Sequence, residues 1–148
     1  MDRKAFIKTS CLACTSVTLL TTLIQSCVSV KYVTGNLESN GISLDVLAFE
    51  SNKNGHREYV IVRHEDLKFP ICVYRTADDN YTALLMQCTH QGVELQVSGN
   101  RLTCPAHGSE FDNKGKVMQA PAGEDLRSFP VAVVANNRLF IDLRKKAS

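Results

Sequence analysis

Two short segments carry the residue types that do inorganic chemistry. One reads Cys88-Thr89-His90-Gln91-Gly92 and the other Cys104-Pro105-Ala106-His107-Gly108-Ser109. Each pairs one thiol with one imidazole, and each has a glycine close behind that lets the backbone turn tightly. Two such loops converging on one buried point would present two sulfur and two nitrogen ligands.

Two kinds of centre fit this inventory. A single zinc ion takes four such ligands in a tetrahedron, although zinc knuckles usually group their cysteines together and their histidines together. A two-iron, two-sulfide cluster accepts mixed loops when both thiolates bind one iron and both imidazoles the other, so that each loop serves both irons. The mixed composition of each loop favours the cluster.

The double pattern Cys88-x-His90 and Cys104-x-x-His107-Gly108-Ser109 resembles that of the Rieske iron-sulfur proteins. The resemblance implies one [2Fe-2S] cluster per chain, held by Cys88, His90, Cys104 and His107. It also implies an all-β Rieske-like domain of small antiparallel sheets with a cluster-binding subdomain at its tip. It continues through Glu110-Phe111-Asp112 and through Ala120-Pro121-Ala122, which looks like the family's third, proline-bearing loop. By that likeness Gly92, Gly108, Ser109, Phe111 and Pro121 surround the ligands, and Pro105 and Pro121 shield the cluster from water. The 13 residues between His90 and Cys104 predict a compact hairpin, 93–102, turning near Gly99 and Asn100.

The chain departs from the Rieske subunits of quinol-oxidising bc-type complexes at three positions. Those subunits carry two further cysteines that join the loops in a disulfide, and Val93 and Ala106 stand there in this chain. They also tend to have a tyrosine where this chain has Phe111. Hydrogen bonds to sulfur stabilise the more negative, reduced state and raise the potential. With Ser109 as donor and none from Phe111, the expected potential lies in the lower half of the Rieske range of about −150 to +300 mV.

The elements that must position these loops follow in order. Residues 1–27 read as a signal peptide, with a charged start at Asp2-Arg3-Lys4 and an apolar stretch rich in threonine and small residues. Arg3-Lys4-Ala5-Phe6-Ile7-Lys8 resembles the twin-arginine export motif, with lysine for the second arginine. That route carries folded proteins and suits a cluster inserted before export. Ile24-Gln25-Ser26-Cys27 looks like a lipoprotein box, which makes Cys27 the lipidation candidate. The expected location is then the outer side of a bacterial cytoplasmic membrane, or the outer membrane, with the lipid as anchor.

Residues 28–41 are polar and carry Gly35, Asn36, Ser39, Asn40 and Gly41, which predicts a tether with room for an added strand. The Rieske domain is expected over 42–145. Runs at 44–49, 58–62, 69–76 and 81–87 are rich in branched and aromatic residues and read as strands. Turn clusters at 51–55 and 77–80 separate them. Residues 126–134 and 138–143 predict a closing hairpin over the turn-forming Asn136 and Asn137. Of 6 cysteines, Cys11 and Cys14 lie in the leader, Cys27 is the lipidation candidate and Cys88 and Cys104 are ligands, which leaves Cys72, whose strand-like surroundings predict a buried free thiol. His56 and His64 lack cysteine partners and read as surface residues.

Charge excludes one class of partner. The whole chain is +2, and without Asp2, Arg3, Lys4 and Lys8 it holds 14 basic and 14 acidic residues, so nothing supports nucleic-acid binding. A cluster of this type moves one electron at a time. The favoured function is an exported, membrane-tethered electron carrier or small redox subunit working between a donor and an acceptor protein. It would dock through the weakly charged rim of Gln91, Val93, Pro105, Ala106 and Pro121. Three alternatives stand beside it. They are the ferredoxin component of an oxygenase system, the subunit of a quinol-oxidising bc-type complex, and a zinc-binding module without redox activity. A catalytic Rieske oxygenase needs a second domain with a two-histidine, one-carboxylate iron, for which the chain has no spare paired histidines.

Overall fold

The computed structural model describes residues 30–51, 55–76, 80–144 and 147. The expected leader, with Cys27, lies outside the described residues. The described residues form fifteen strands and one short 3-10 turn, all-β as expected. In chain order they are β1 (Tyr32–Thr34), β2 (Asn36–Glu38), β3 (Gly41–Asp45), the 3-10 turn (Val46–Phe49), β4 (Glu50–Ser51), β5 (Gly55–His56) and β6 (Tyr59–Arg63). Then come β7 (Ile71–Arg75), β8 (Tyr81–Leu85), β9 (Gln96–Ser98), β10 (Arg101–Thr103), β11 (Glu110–Asp112) and β12 (Val117–Gln119). β13 (Ser128–Phe129), β14 (Val131–Val134) and β15 (Arg138–Asp142) complete the chain.

The central sheet runs β1-β6-β7-β8-β13, and two four-stranded sheets, β14-β15-β3-β2 and β12-β11-β10-β9, pack on its opposite faces. Strand alternation explains the layering. On β6, Tyr59 and Ile61 face one core while Val60 and Val62 face the other. On β7, Cys72 and Tyr74 face the first core while Ile71 and Val73 face the second. Because both faces are covered, these strands read as unbroken apolar runs rather than as alternating ones.

Local chemistry sets the joins. The strand expected over 44–49 is cut at Asp45, whose Oδ1 accepts from the Leu47 N–H at 2.8 Å and starts the 3-10 turn. The strand expected over 126–134 is also two strands, because Pro130 has no N–H for a ladder. β13 pairs with β8 in the central sheet, and after Pro130 the chain enters the other sheet as β14, paired with β15. Asn136 and Asn137 close that hairpin with φ of 62° and 58°, a left-handed conformation asparagine tolerates.

Residues 28–41, expected as tether, hold two strands within the described part. β1 lies parallel to β6, with Val33 opposite Val62, and β2 lies antiparallel to β3. Cys72 is a fully buried free thiol, as expected. His56 is exposed, and half-buried His64 receives the Asp66 N–H on its Nδ1 at 3.2 Å. Among the described residues no helix is long and apolar enough to cross a membrane.

Candidate metal centre

The site loops grow out of the sheet β12-β11-β10-β9. β9 and β10 form the predicted hairpin, turning at Gly99 and Asn100, with Leu102 opposite Val97. Tyr74 on the central sheet fastens that turn, its hydroxyl reaching the carbonyls of Gly99 at 3.3 Å and Arg101 at 3.4 Å. The first loop leaves β8 through Met86 and Gln87. The second links β10 to β11.

The two loops close in the same way. In the first, the Gly92 N–H donates to the Cys88 carbonyl at 2.8 Å, and the Cys88 N–H donates to the Val93 carbonyl at 2.8 Å. In the second, the Gly108 N–H donates to the Cys104 carbonyl at 2.9 Å, and the Cys104 N–H donates to the Ser109 carbonyl at 2.8 Å. Both glycines sit at positive φ, 71° for Gly92 and 77° for Gly108, where a side chain would be strained. The glycine of each motif is thus a requirement of its loop.

This closure sorts the four donor side chains by burial. Cys88 and Cys104 are 2% and 1% exposed and belong to the core that also holds Leu95, Leu102 and Phe111. The two thiols lie within hydrogen-bonding reach of each other. His90 and His107 are exposed, with ring centroids 5.0 Å apart and planes at 86°. Burial pushes the Cys104 thiol up, but the backbone N–H groups of His107 and Ala106 and the Cys88 thiol outweigh it and hold the group below its ordinary value. The site therefore favours the thiolate, the form that binds metal.

Sulfurs inside and imidazoles outside make two pairs of donors. Among the described residues no three His, Cys, Asp or Glu side chains converge on a single ion position. A pair of irons bridged by sulfide needs only two protein ligands each, so this donor set suits a binuclear cluster.

A third loop straps the first two together. Ser109, fully buried, accepts the Ala122 N–H on its Oγ at 3.0 Å, and Thr89 Oγ1 donates to the Glu124 carbonyl at 2.7 Å. Asp125 anchors the loop to β12, accepting from the Val117 N–H at 3.0 Å and from Lys116 Nζ at 2.7 Å. Gln119 Nε2 donates to the Gly108 carbonyl at 3.3 Å. Of the residues expected around the centre, Phe111 is fully buried, and Gly92 and Gly108 are half-buried. Pro105 and Pro121 are exposed, and in the proline-bearing loop it is Ala122 that enters the core. Thr89, Gln119 and Glu124 were not anticipated. Glu124 and Ala122 act through backbone atoms and leave no side-chain signature, whereas Thr89 stands in plain view between two donor residues.

Comparison with known proteins agrees with this geometry. A family model described as the Rieske [2Fe-2S] domain matches residues 46–130, more than half of the chain. The cytochrome b6-f complex iron-sulfur subunit of Cyanothece sp. (strain PCC 7425 / ATCC 29141) is 42% identical over 55 residues, covering 33% of this chain and 31% of that protein. The cytochrome b6-f complex iron-sulfur subunit 1 of the Cyanophora paradoxa cyanelle is 34% identical over 87 residues, covering 57% of this chain and 36% of that protein. These matches span about a third of each curated relative's length. Among solved structures, the cyanobacterial plasma membrane Rieske protein PetC3 of Synechocystis PCC 6803 superposes with a TM-score of 0.50 at 26% identity. That superposition covers 57% of this chain and 86% of PetC3. The chain belongs to the Rieske [2Fe-2S] domain family, its cofactor is one [2Fe-2S] cluster, and its chemistry is electron transfer through that cluster.

Proposed function

We propose that Cys88 and Cys104 bind the inner iron and His90 and His107 the outer one, in an exported, membrane-tethered protein that passes electrons between larger redox proteins. The observation that carries the ligand assignment is the division of the four side chains into a buried thiol pair and an exposed imidazole pair 5.0 Å apart. When bound, the cluster supplies a reversible one-electron couple. The chain does the rest. Against burial, the backbone N–H groups of His107 and Ala106 lower the Cys104 thiol below its ordinary value, and the core around Leu102 and Phe111 keeps water from the thiol side. The exposed rings of His90 and His107 form the face an electron crosses.

Tethering would come from lipid on Cys27 after cleavage of residues 1–27, placing the domain on the outer side of the cytoplasmic membrane or on the outer membrane. The description of PetC3 as a plasma membrane protein supports a membrane location. Relatives named as iron-sulfur subunits of the cytochrome b6-f complex support a larger redox complex as partner.

Two measurements test this. Iron, sulfide and zinc analysis of freshly purified protein, with electron paramagnetic resonance after dithionite, should give iron and acid-labile sulfide in equal amounts and the rhombic signal of a reduced cluster. Zinc without iron would contradict the ligand assignment. Labelled palmitate should enter the chain in bacteria and fail to enter the Cys27→Ala variant; labelling of that variant would contradict the anchor.

A further inference from the structure

We propose that the redox partner docks on the His90 side of the tip, in a groove where Arg127 receives a carboxylate of that partner. The inference rests on the electron-transfer reading above and adds where the partner sits and what it presents. The groove, about 510 Å³, is lined by Gln87, Thr89, the exposed His90, Gln91, Glu124 and Arg127.

Arg127 is ready for an anion before one arrives. One guanidinium nitrogen donates to the Leu143 carbonyl at 3.0 Å, and the group lies 4.9 Å from the Phe129 ring centroid. A guanidinium carries five N–H donors, so this bond leaves donors for a partner, and the stacking removes side-chain freedom that docking would otherwise cost. The Arg127 carbonyl accepts from the Leu85 N–H at 2.9 Å, which sets the residue beside β8. Glu124 lines the same groove, its carbonyl held to the first loop by the bond from Thr89. Two opposite charges lining one groove favour a partner whose charges match them. The complementary surface is a protein edge with an acidic side chain over Arg127 and a basic one over Glu124.

The second imidazole has a different setting. Pro105 and Ala106, just before His107 in the chain, are exposed and carry no charge, so they give a partner contact without orientation. In the docked complex one electron leaves the reduced protein by way of His90, and the partner is reduced by that one electron.

The test uses the full-length, cluster-loaded protein and three variants, Arg127→Glu, Gln91→Glu and Ala106→Glu, each checked first for its cluster signal. Gln91 is exposed and serves as the second groove variant should Arg127→Glu fold poorly. Hexacyanochromate(III), a redox-inert anion, should broaden the amide resonances of 85–87 and 124–127 more than those of Ala106 and 118–119, and Arg127→Glu should remove the difference. Ferricyanide, which takes one electron to become ferrocyanide, should oxidise the two groove variants about three- to tenfold more slowly than the parent at low salt. Ala106→Glu should slow it less. Broadening centred on Ala106 and 118–119, or slowing by Ala106→Glu equal to that of the groove variants, overturns the docking side and leaves the electron-transfer reading intact. Absence of a cluster in the parent protein overturns that reading and this inference with it.

Discussion

The rings of His90 and His107 meet edge to face, 5.0 Å between centroids, although 16 residues of chain separate the two. Their proximity follows from two loops closed by the same pair of backbone hydrogen bonds and set side by side on one small sheet. Each loop turns its cysteine into the core and its histidine out to solvent. A centre built this way is protected at its sulfurs and accessible at its imidazoles, which is what a carrier needs to keep its cluster and still exchange electrons.

The strap over the loops depends on Ser109. Its Oγ is the acceptor for the buried Ala122 N–H, so Ser109→Ala leaves that donor without a partner, at a cost of about 1–3 kcal/mol. Chemical denaturation should show a loss of that size, and the cluster should bleach faster under chelator. Unchanged stability would contradict the role given to the strap.

Phe111 is fully buried among the residues around the thiols. Phe111→Tyr should return a hydroxyl donor to this shell and raise the midpoint potential. A hydrogen bond stronger by about 1 kcal/mol in the reduced state corresponds to roughly 40 mV for one electron. Protein-film voltammetry measures the shift, and a lower potential in the variant would contradict the account.

The two loop glycines should behave alike. Alanine at φ of 71° or 77° costs about 1–2 kcal/mol in the left-handed region. Gly92→Ala should cost slightly more than Gly108→Ala, because its new Cβ would lie 3.2 Å from Gln87 Nε2 while that of Gly108 has nothing closer than 4.0 Å. Thermal unfolding of both variants checks the order, and two variants as stable as the parent would show that the loops do not need the conformation.

Alkali should unfold the domain through its first core. Burial pushes the Cys72 thiol from 9.0 up to about 12, with the Tyr74 hydroxyl bond a smaller, opposing influence. Burial first, then Cys72, raises the Tyr74 phenol too. The unfolded chain loses these protons at lower pH than the folded one, so their contribution is full below pH 9 and is lost as pH rises toward 12. Each such proton steepens the loss by roughly 1.4 kcal/mol per pH unit. Denaturation midpoints across that window should fall, and Cys72→Ala should fall less steeply. A slope unchanged by the substitution would show that Cys72 does not control it.

Much of this was legible in the chain, for physical reasons that differ from element to element. β6 and β7 stand out because both their faces are covered, which leaves branched and aromatic residues at nearly every position. The hairpin turns at Gly99 and at Asn136 carry the residues that left-handed backbone demands. The donor residues were legible because metal chemistry restricts them to few types at fixed offsets. β1 and β2 were not, since three-residue strands at sheet edges take their pairing from β6 and β3 rather than from their own composition. The same holds for the third loop. Pro121 is visible in the sequence, but the bonds that make the loop a strap use the Ala122 amide and the Glu124 carbonyl, which any residue provides.

Two histidines, His90 and His107, are expected to bind the cluster. Pulsed electron paramagnetic resonance of the reduced protein, grown with 15N-labelled histidine, tests this ligation most directly. Strong coupling to two labelled nitrogens is expected, with the cluster lost or its coupling pattern altered in His90→Cys and His107→Cys. A reduced cluster with no histidine coupling would contradict it.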